Sequence, residues 1–400
     1  MARCEVIIVG LGAMGSACAY HLARRGKRVL GLDRFAPPHA FGSSHGQTRI
    51  IREAYFEHPL YVPLVQRAYE LWSELERGSG RSLFRETGGL MIGKPDSAVV
   101  SGATQSARAH SLPHELLSAD QVRSRFPALH PTDDMVAVWE PRAGILFPEI
   151  CLEAHLSLAR NRGAELHTEE QVLNWEGDGA GVRVITSKGA YQAGQLVLTA
   201  GSWMQSLLAG LKLPLVVERQ VQFWFEPKRP DEFRPEHCPI HIWEHAPGRF
   251  FYGFPDLGVG VKVARHHEGE SADPDSLNRA VRPEDIEAMR AIVRQFLPDA
   301  DGPLRSAMVC MYSNTPDGHF FIDWHPRNPR VLIASPCSGH GFKFSSVIGE
   351  VLANLLTAAP MQFDLSLFRN RFLPDKPKPA LEQDCHPHSS ASPGRINESI

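Results

Sequence analysis

The sequence predicts a mixed α/β protein: a Rossmann-like domain through which a second, α+β domain with an antiparallel sheet is interleaved. Three observations predict it. A strand, a glycine turn, a helix and a second strand open the chain. Apolar strands return far downstream, at 195–201 and 330–335, where a parallel sheet finds its further members. Between them, residues 217–304 carry aromatic-rich strands (VQFWFEP, RFFYGFP) suited to a separate sheet.

The opening unit can be argued residue by residue. Glu5-Val6-Ile7-Ile8-Val9 is a short buried strand, followed at once by Gly10-Leu11-Gly12-Ala13-Met14-Gly15. A helix then runs to Arg25 and stops at Gly26, and Arg28 to Asp33 is a second strand ending in an acid. Gly10 and Gly12 permit a tight turn and close approach of a pyrophosphate, and Gly15 lets helix pack on strand. The helix N-terminus faces the phosphates, while Asp33 accepts from ribose hydroxyls. Such a unit binds a dinucleotide; the motif alone does not separate FAD from NAD.

Further along, Leu60, Leu64, Ala68, Leu71 and Leu75 fall on one face of a core helix. Residues 83–142 read as strand-like and turn-rich, and 150–162 as a helix. Gln195 to Gly201 is a buried strand that returns the chain to the nucleotide domain. A helix is expected near 283–297, a last core strand at Arg330–Ser335, then a glycine loop and a helix over 344–358. Beyond about 374 the chain is rich in Pro, Ser, His and charge, which predicts a flexible tail. Residues 1–82, 143–216 and 305–374 are therefore assigned to the nucleotide domain, 83–142 and 217–304 to the substrate domain, and 375–400 to the tail.

Composition bounds the function. The length of 400 residues, 43% of them hydrophobic, supports a sizeable core. A formal net charge of −3 and the lack of basic runs argue against nucleic acid or a membrane surface as partner. No apolar run has membrane-spanning length, and the start, MARCEVIIVGLG, enters a strand directly instead of a secretion signal. Seven cysteines without a CxxC pair suit reduced thiols. His237, Cys238, His241 and His245 match no zinc spacing and read as a structural loop, so no metal is expected. Trp224, Trp243, Tyr252 and Phe254 are expected in the core, as aromatic strands usually are.

The chemistry gathers in four stretches. GSSHGQTRIIREAY (42–55) holds His45, Arg49 and Arg52; VGVKVARHH (259–267) holds Lys262 and His266. CMYSNTPDGHFFID (310–323) opens on Cys310, and SGHGFKFSS (338–346) sets His340 and Lys343 in a glycine loop before a helix. Taken singly, such cations are usually solvated.

Together, these stretches resemble the monomeric sarcosine oxidase family, which includes N-methyltryptophan oxidase and peroxisomal L-pipecolate oxidase. The shared motifs are SSHGxTRxIRxAY, CMYxxTPDxxFxID and SGHGFKF, and the resemblance extends from the first strand to about residue 373. It implies an oxidase of secondary amino acids whose cofactor is FAD, joined by a thioether between Cys310 and the flavin 8α-methyl carbon. It implies that Arg52 and Lys343 hold the substrate carboxylate, with Gly339 beside it, and that Tyr312 and His266 stand next to the amine. His45, Arg49 and the helix N-terminus after Gly341 would stabilise the negative charge of reduced flavin. Lys262 matches the lysine that activates oxygen. Ser43, Ser44, Val172, Gly201, Gly339, Gly341 and Lys343 complete the implied cofactor contacts. The expected partners are a small secondary amino acid and O2, with no nucleic acid and no membrane, and the expected state is a monomer.

One departure stands out: Pro336-Cys337 occupies the start of the loop where the family reads GFSGHGFK. The ending Asn397-Glu398-Ser399-Ile400 is not of the SKL type, which favours cytoplasm over peroxisome. An N-methyl amino acid is the expected substrate. L-Pipecolate or another secondary or D-amino acid is the alternative; a non-covalent D-amino-acid or glycine oxidase leaves the Cys310 motif unexplained, and a non-catalytic flavin sensor the gathered cations.

Overall fold

The architecture is that of a computed structural model, which describes residues 4–369 apart from 179 and 209, together with residue 372. The expected tail, 375–400, lies outside the described residues. In chain order the first elements are β1 (Cys4–Val9), α1 (Ala13–Arg24), β2 (Val29–Leu32), β3 (Arg49–Ile51), α2 (Tyr61–Ser79), β4 (Phe84–Glu86) and β5 (Gly89–Gly93). Next come α3 (Ala98–Ala109), β6 (Glu115–Ser118), α4 (Ala119–Arg125), β7 (Val136–Glu140), β8 (Gly144–Leu146), α5 (Pro148–Arg160), β9 (Glu165–His167), β10 (Val172–Asp178), β11 (Gly181–Thr186) and β12 (Ala190–Leu198). The rest are β13 (Val216–Phe225), β14 (Ile240–Ala246), β15 (Arg249–Phe254), β16 (Val261–His266), α6 (Pro283–Phe296), β17 (Leu304–Asn314), β18 (Phe321–His325), β19 (Asn328–Ser335) and α7 (Ser345–Thr357).

The first sheet has a parallel centre in the order β19, β12, β1, β2, β9, with β10, β11 and β18 added antiparallel. Val6 to Val9 are all buried, because both faces of β1 are covered. Val6 and Ile8 face α1, α2, α5 and α7, while Ile7 and Val9 face the layer around Trp175 and Leu196. At the turn into α1, a Cβ on Gly15 would lie 1.8 Å from the Gly10 carbonyl oxygen, so helix and strand can meet only over glycine.

The second sheet runs β17, β13, β16, β15, β14, β5, β7, β6. It is antiparallel as expected except at one seam, where β14 pairs with β5 in parallel. Its outer face is covered by α6, whose Met289, Ile292, Val293 and Phe296 pack on Phe223, Trp243 and Phe251. Pro283 at the first turn and Glu284 and Asp285 just after it set where α6 starts.

Three readings need correction. Residues 83–142 contain two helices, α3 and α4, that the strand-like reading overlooked. α3 shows its apolar face only through small residues, Ala103 and Ala107, with Val99 and Val100, while α4 is short and fixed by a Ser118–Gln121 capping box. The strand that bears Cys310 and Tyr312, assigned above to the nucleotide domain, belongs to the second sheet, pairing along β13 from Val216 to Phe225. His241 and His245, read as loop residues, lie on β14.

Candidate active site

One cavity runs between the two sheets, from Asp33 at one end to Arg52 and Lys343 at the other. At the first end the Asp33 carboxylate accepts the N–H of Leu11 at 2.7 Å and of Phe35 at 2.8 Å, so the glycine turn itself aims it. Burial raises its pKa, against the pull of those two amides. Gly10 and Gly12 line this half, and a Cβ on Gly12 would meet nothing nearer than the Ser44 hydroxyl oxygen at 3.8 Å. Ser43, Ser44, Val172 and Gly201 line it too, whereas Gly15 lies beneath, against Gly10.

The other end is cationic. Arg52, 1% exposed, gives two hydrogen bonds to Glu57, at 2.9 and 2.6 Å, and one to the Ala54 carbonyl at 2.8 Å. The loop carrying it is pinned by Glu140, which accepts the N–H of Glu53 and of Ala54. Lys343 gives its ammonium protons to the His340 carbonyl at 2.8 Å and the Tyr55 hydroxyl at 3.4 Å. Burial and then the neighbouring Arg52 push its pKa down to about 7, with Glu57 opposing. Burial also works against the charge on Glu57, but Arg52, His340 and Lys343 outweigh it and hold that carboxyl below its ordinary range.

Between the ends, His266 Nδ1 and the Tyr312 hydroxyl are 3.1 Å apart. A side chain on Gly339 would press to 2.8 Å on both their rings, which lets the 338–341 loop close on them. Burial, followed by His267, His340, Lys343 and Arg52, lowers the His266 pKa well below the ordinary range, so its imidazole is neutral. Burial raises the Tyr312 phenol well above its own. Gly341 lines the wall, as do Pro336 and Cys337, the departure from the family pattern; burial pushes the Cys337 thiol up to about 11.

Four expected residues border the cavity less directly. Arg49 lines it and donates to the carbonyls of Thr48 and Ser43 at 2.8 and 2.7 Å. His45, Lys262 and Cys310 sit behind the lining residues. The Cys310 thiol, 1% exposed, is 3.8 Å from the Ser43 carbonyl and 3.9 Å from Arg49 Nη2. The His45 ring stands 2.9 Å from the Met308 sulfur, and burial, then Arg49, lowers its pKa to about 3. Lys262 donates to Gly46 and Thr48, and its ammonium lies 5.0 and 5.2 Å from the ring centres of Phe254 and Trp224. Among the described residues, no group of His, Cys, Asp and Glu is arranged to hold a metal.

Sequence reasoning missed Glu57, although an acid five residues after Arg52 offered a signal. It missed Gln222, a buried residue on the cavity wall, and placed Tyr252 and Phe254 in the core although both line the cavity. The donor set fits FAD. An acid held by the glycine turn stands at one end, an arginine lines the middle, and two buried polar atoms, His45 Nε2 and Gln222 Oε1, have no protein partner.

Comparison with known proteins agrees with this geometry. Residues 5–355 match the family described as FAD dependent oxidoreductase. The monomeric sarcosine oxidase of Streptomyces avermitilis is 47% identical over 378 residues, covering 93% of this chain and 98% of that protein. The N-methyl-L-tryptophan oxidase of Yersinia pestis (strain Pestoides F) is 35% identical over 367 residues, covering 91% and 98%. Among solved structures, NikD, an unusual amino acid oxidase essential for nikkomycin biosynthesis, matches with a TM-score of 0.80 at 24% identity, covering 96% of this chain and 100% of NikD. At that identity the likeness shows the fold alone. No helix among the described residues is long and apolar enough to cross a membrane.

Proposed function

The chain belongs to the FAD dependent oxidoreductase family, and we propose that within it the protein is an oxidase of N-methyl amino acids. The observation that carries this reading is a continuous cavity, with a ribose-accepting carboxylate at one end and two buried cations at the other. Substrate, O2 and water give formaldehyde, the demethylated amino acid and hydrogen peroxide. When bound, FAD would accept the hydride equivalent that leaves the carbon beside the substrate nitrogen, so that C–N becomes an imine that water hydrolyses, and would give the two electrons to O2.

In this reading the residues around Asp33, Gly10 and the N-terminus of α1 hold the dinucleotide, with Ser43, Ser44, Val172, Gly201, Gly339 and Gly341 along it. Cys310 carries the flavin through a thioether; its support is a buried thiol on β17, beside Arg49 and Ser43 at the cavity's edge. The segments around the parallel sheet form the cofactor domain, and the second sheet forms most of the substrate wall.

Arg52 and Lys343 take the substrate carboxylate, Arg through its planar fork and Lys as a point charge. Burial and the two cations near the amine disfavour a further positive charge there, so the amine is held as its neutral form, its proton left to water on entry, and the neutral His266 beside it adds no charge of its own. The Tyr312 hydroxyl, tied to His266 Nδ1, orients that imidazole. His45 and Arg49 face the charge that builds on the far side, and Lys262 offers a fixed cation to O2. The free thiols among the described residues suit a reducing compartment such as the cytoplasm, and the relatives named monomeric support a monomer.

A panel of sarcosine, N-methyl-L-tryptophan, L-pipecolate, glycine and D-alanine tests the proposal, with peroxide and formaldehyde measured together. Both products from an N-methyl amino acid are expected. Peroxide from the primary amino acids alone would assign the site to a different substrate class.

A further inference from the structure

The loop from Ser43 to Thr48 is gripped from two sides by opposite charges. Gly46 and Gln47 both have left-handed backbones, with φ of 97° and 68°. A Cβ at Gly46 would fall 2.2 Å from Gln222 Oε1, so only glycine fits there. The two successive N–H groups converge on one oxygen of Glu149, at 2.8 and 3.1 Å, a nest of backbone donors around an anion. On the other side, the ammonium of Lys262 donates to the Gly46 carbonyl at 2.6 Å, the Thr48 carbonyl at 3.1 Å and the Thr48 hydroxyl at 2.9 Å. Three oxygens thus take its three protons. Gly46 is the hinge of the arrangement: its N–H is held by Glu149 and its carbonyl by Lys262.

We propose that Glu149 is a positioning residue for the oxygen half-reaction, fixing the Gly46–Gln47 turn whose carbonyl holds the Lys262 ammonium behind the Phe254 and Gln222 wall. The proposal rests on the reading of Lys262 as the cation that meets O2. Glu149 suits the task because it stands in the first turn of α5, behind Pro148, where the helix itself is rigid and favours a carboxylate. It also acts on Lys262 through space. Burial and Arg49 on β3 drive the ammonium towards its neutral form, whereas Glu149 on α5 opposes them; Cys310 on β17, as a thioether, has no charge to add. The remaining neighbour, His45, is kept neutral mainly by burial. Loss of the Glu149 charge leaves Arg49 less opposed, so Lys262 would give up its proton at lower pH.

The test uses holoenzyme of Glu149→Ala and Glu149→Gln, with Lys262→Met for scale, and follows flavin reduction by substrate and reoxidation by O2 separately in stopped flow. Amide hydrogen exchange of the peptide around 43–51 reports the turn independently of activity. Glu149→Ala should speed exchange at Gly46 and Gln47. It should slow reoxidation roughly tenfold, against roughly 10²–10³ for Lys262→Met, and leave reduction within about twofold. Glu149→Gln still accepts both N–H groups, so exchange should stay slow while the reoxidation pH profile moves to lower pH. Normal reoxidation in both Glu149 variants, beside a slow Lys262→Met, would overturn the role of Glu149. Equal slowing of both half-reactions would make it merely structural. Normal reoxidation in Lys262→Met would instead overturn the reading of Lys262 itself.

Discussion

The guanidinium of Arg52 is paired with Glu57 through two hydrogen bonds, at 2.9 and 2.6 Å, and its carbon lies 4.2 Å from the centre of the Tyr55 ring. Both bonds leave one nitrogen, Nη2, while Nη1 goes to the Ala54 carbonyl and the buried Nε has no partner among the described residues, so a substrate carboxylate that takes Nε must share Nη2 with Glu57. Glu57→Gln should therefore lower the KM for an N-methyl amino acid. Arg52→Ala should raise it steeply, by roughly 2–5 kcal/mol for one partner of a desolvated carboxylate, while FAD stays bound. Steady-state kinetics of both variants check this. A KM that rises in Glu57→Gln would mean that the acid orients Arg52 and does not compete for it.

Lys343 predicts a pH dependence. Its pKa is lowered to about 7, chiefly by burial, so the free protein carries the charge below that pH and loses it above. A carboxylate without an amine, such as propionate, isolates the effect. Its affinity should be level below about pH 7 and then weaken, by at most about tenfold per pH unit. Lys343→Met should bind weakly and evenly throughout. Flavin absorbance titrated at several pH values decides it; a wild-type curve level to about pH 9 would place the carboxylate away from Lys343.

Cys310→Ala should fold and retain FAD, because the carboxylate and glycine turn that hold the nucleotide are at the other end of the cavity. Acid precipitation should leave a yellow pellet from the wild type and release free flavin from the variant. Complete release from the wild type would remove the thioether from the account.

Acid should weaken the fold through two buried histidines. His155 lies between the rings of Trp72 and Tyr20 with its Nδ1 unpartnered, and His21 contacts the Ser346 carbonyl at 3.0 Å. Burial lowers both pKa values to about 3, helped by Arg25 and other neighbouring arginines at His21 and by His21 at His155. The folded values lie below the unfolded value of about 6.5, so this stability is present above that pH and is lost as pH falls towards 3. At pH 5 each group should cost about 2 kcal/mol relative to pH 7. Urea unfolding of wild type and His155→Leu at the two pH values should show a smaller loss in the variant. Equal losses would move the acid sensitivity elsewhere.

The sequence made the nucleotide half legible because its signals are local. Gly10 to Gly15 and Asp33 lie within one strand–helix–strand unit, and their packing follows from their spacing. The long motifs carried the amine end in the same way, since Arg52, His266, Cys310 and Lys343 each lie in a distinctive run. What stayed hidden depends on contacts between distant segments. Glu57 matters only because its loop folds back on Arg52, and Glu149 only because α5 starts opposite Gly46. The small-residue face of α3 resembles a turn-rich stretch until the sheet beneath it is known. β17 sits in the second sheet through its pairing with β13, which nothing near Cys310 in the chain announces.

The central claim is that one cavity brings an N-methyl amino acid to a bound flavin and its electrons to O2. Anaerobic mixing of the holoenzyme with sarcosine, followed by air, tests it most directly. Stoichiometric bleaching of the flavin is expected without oxygen, then return of its colour with peroxide and formaldehyde in equal amounts. Flavin that stays oxidised with sarcosine and every other N-methyl amino acid tried would contradict it.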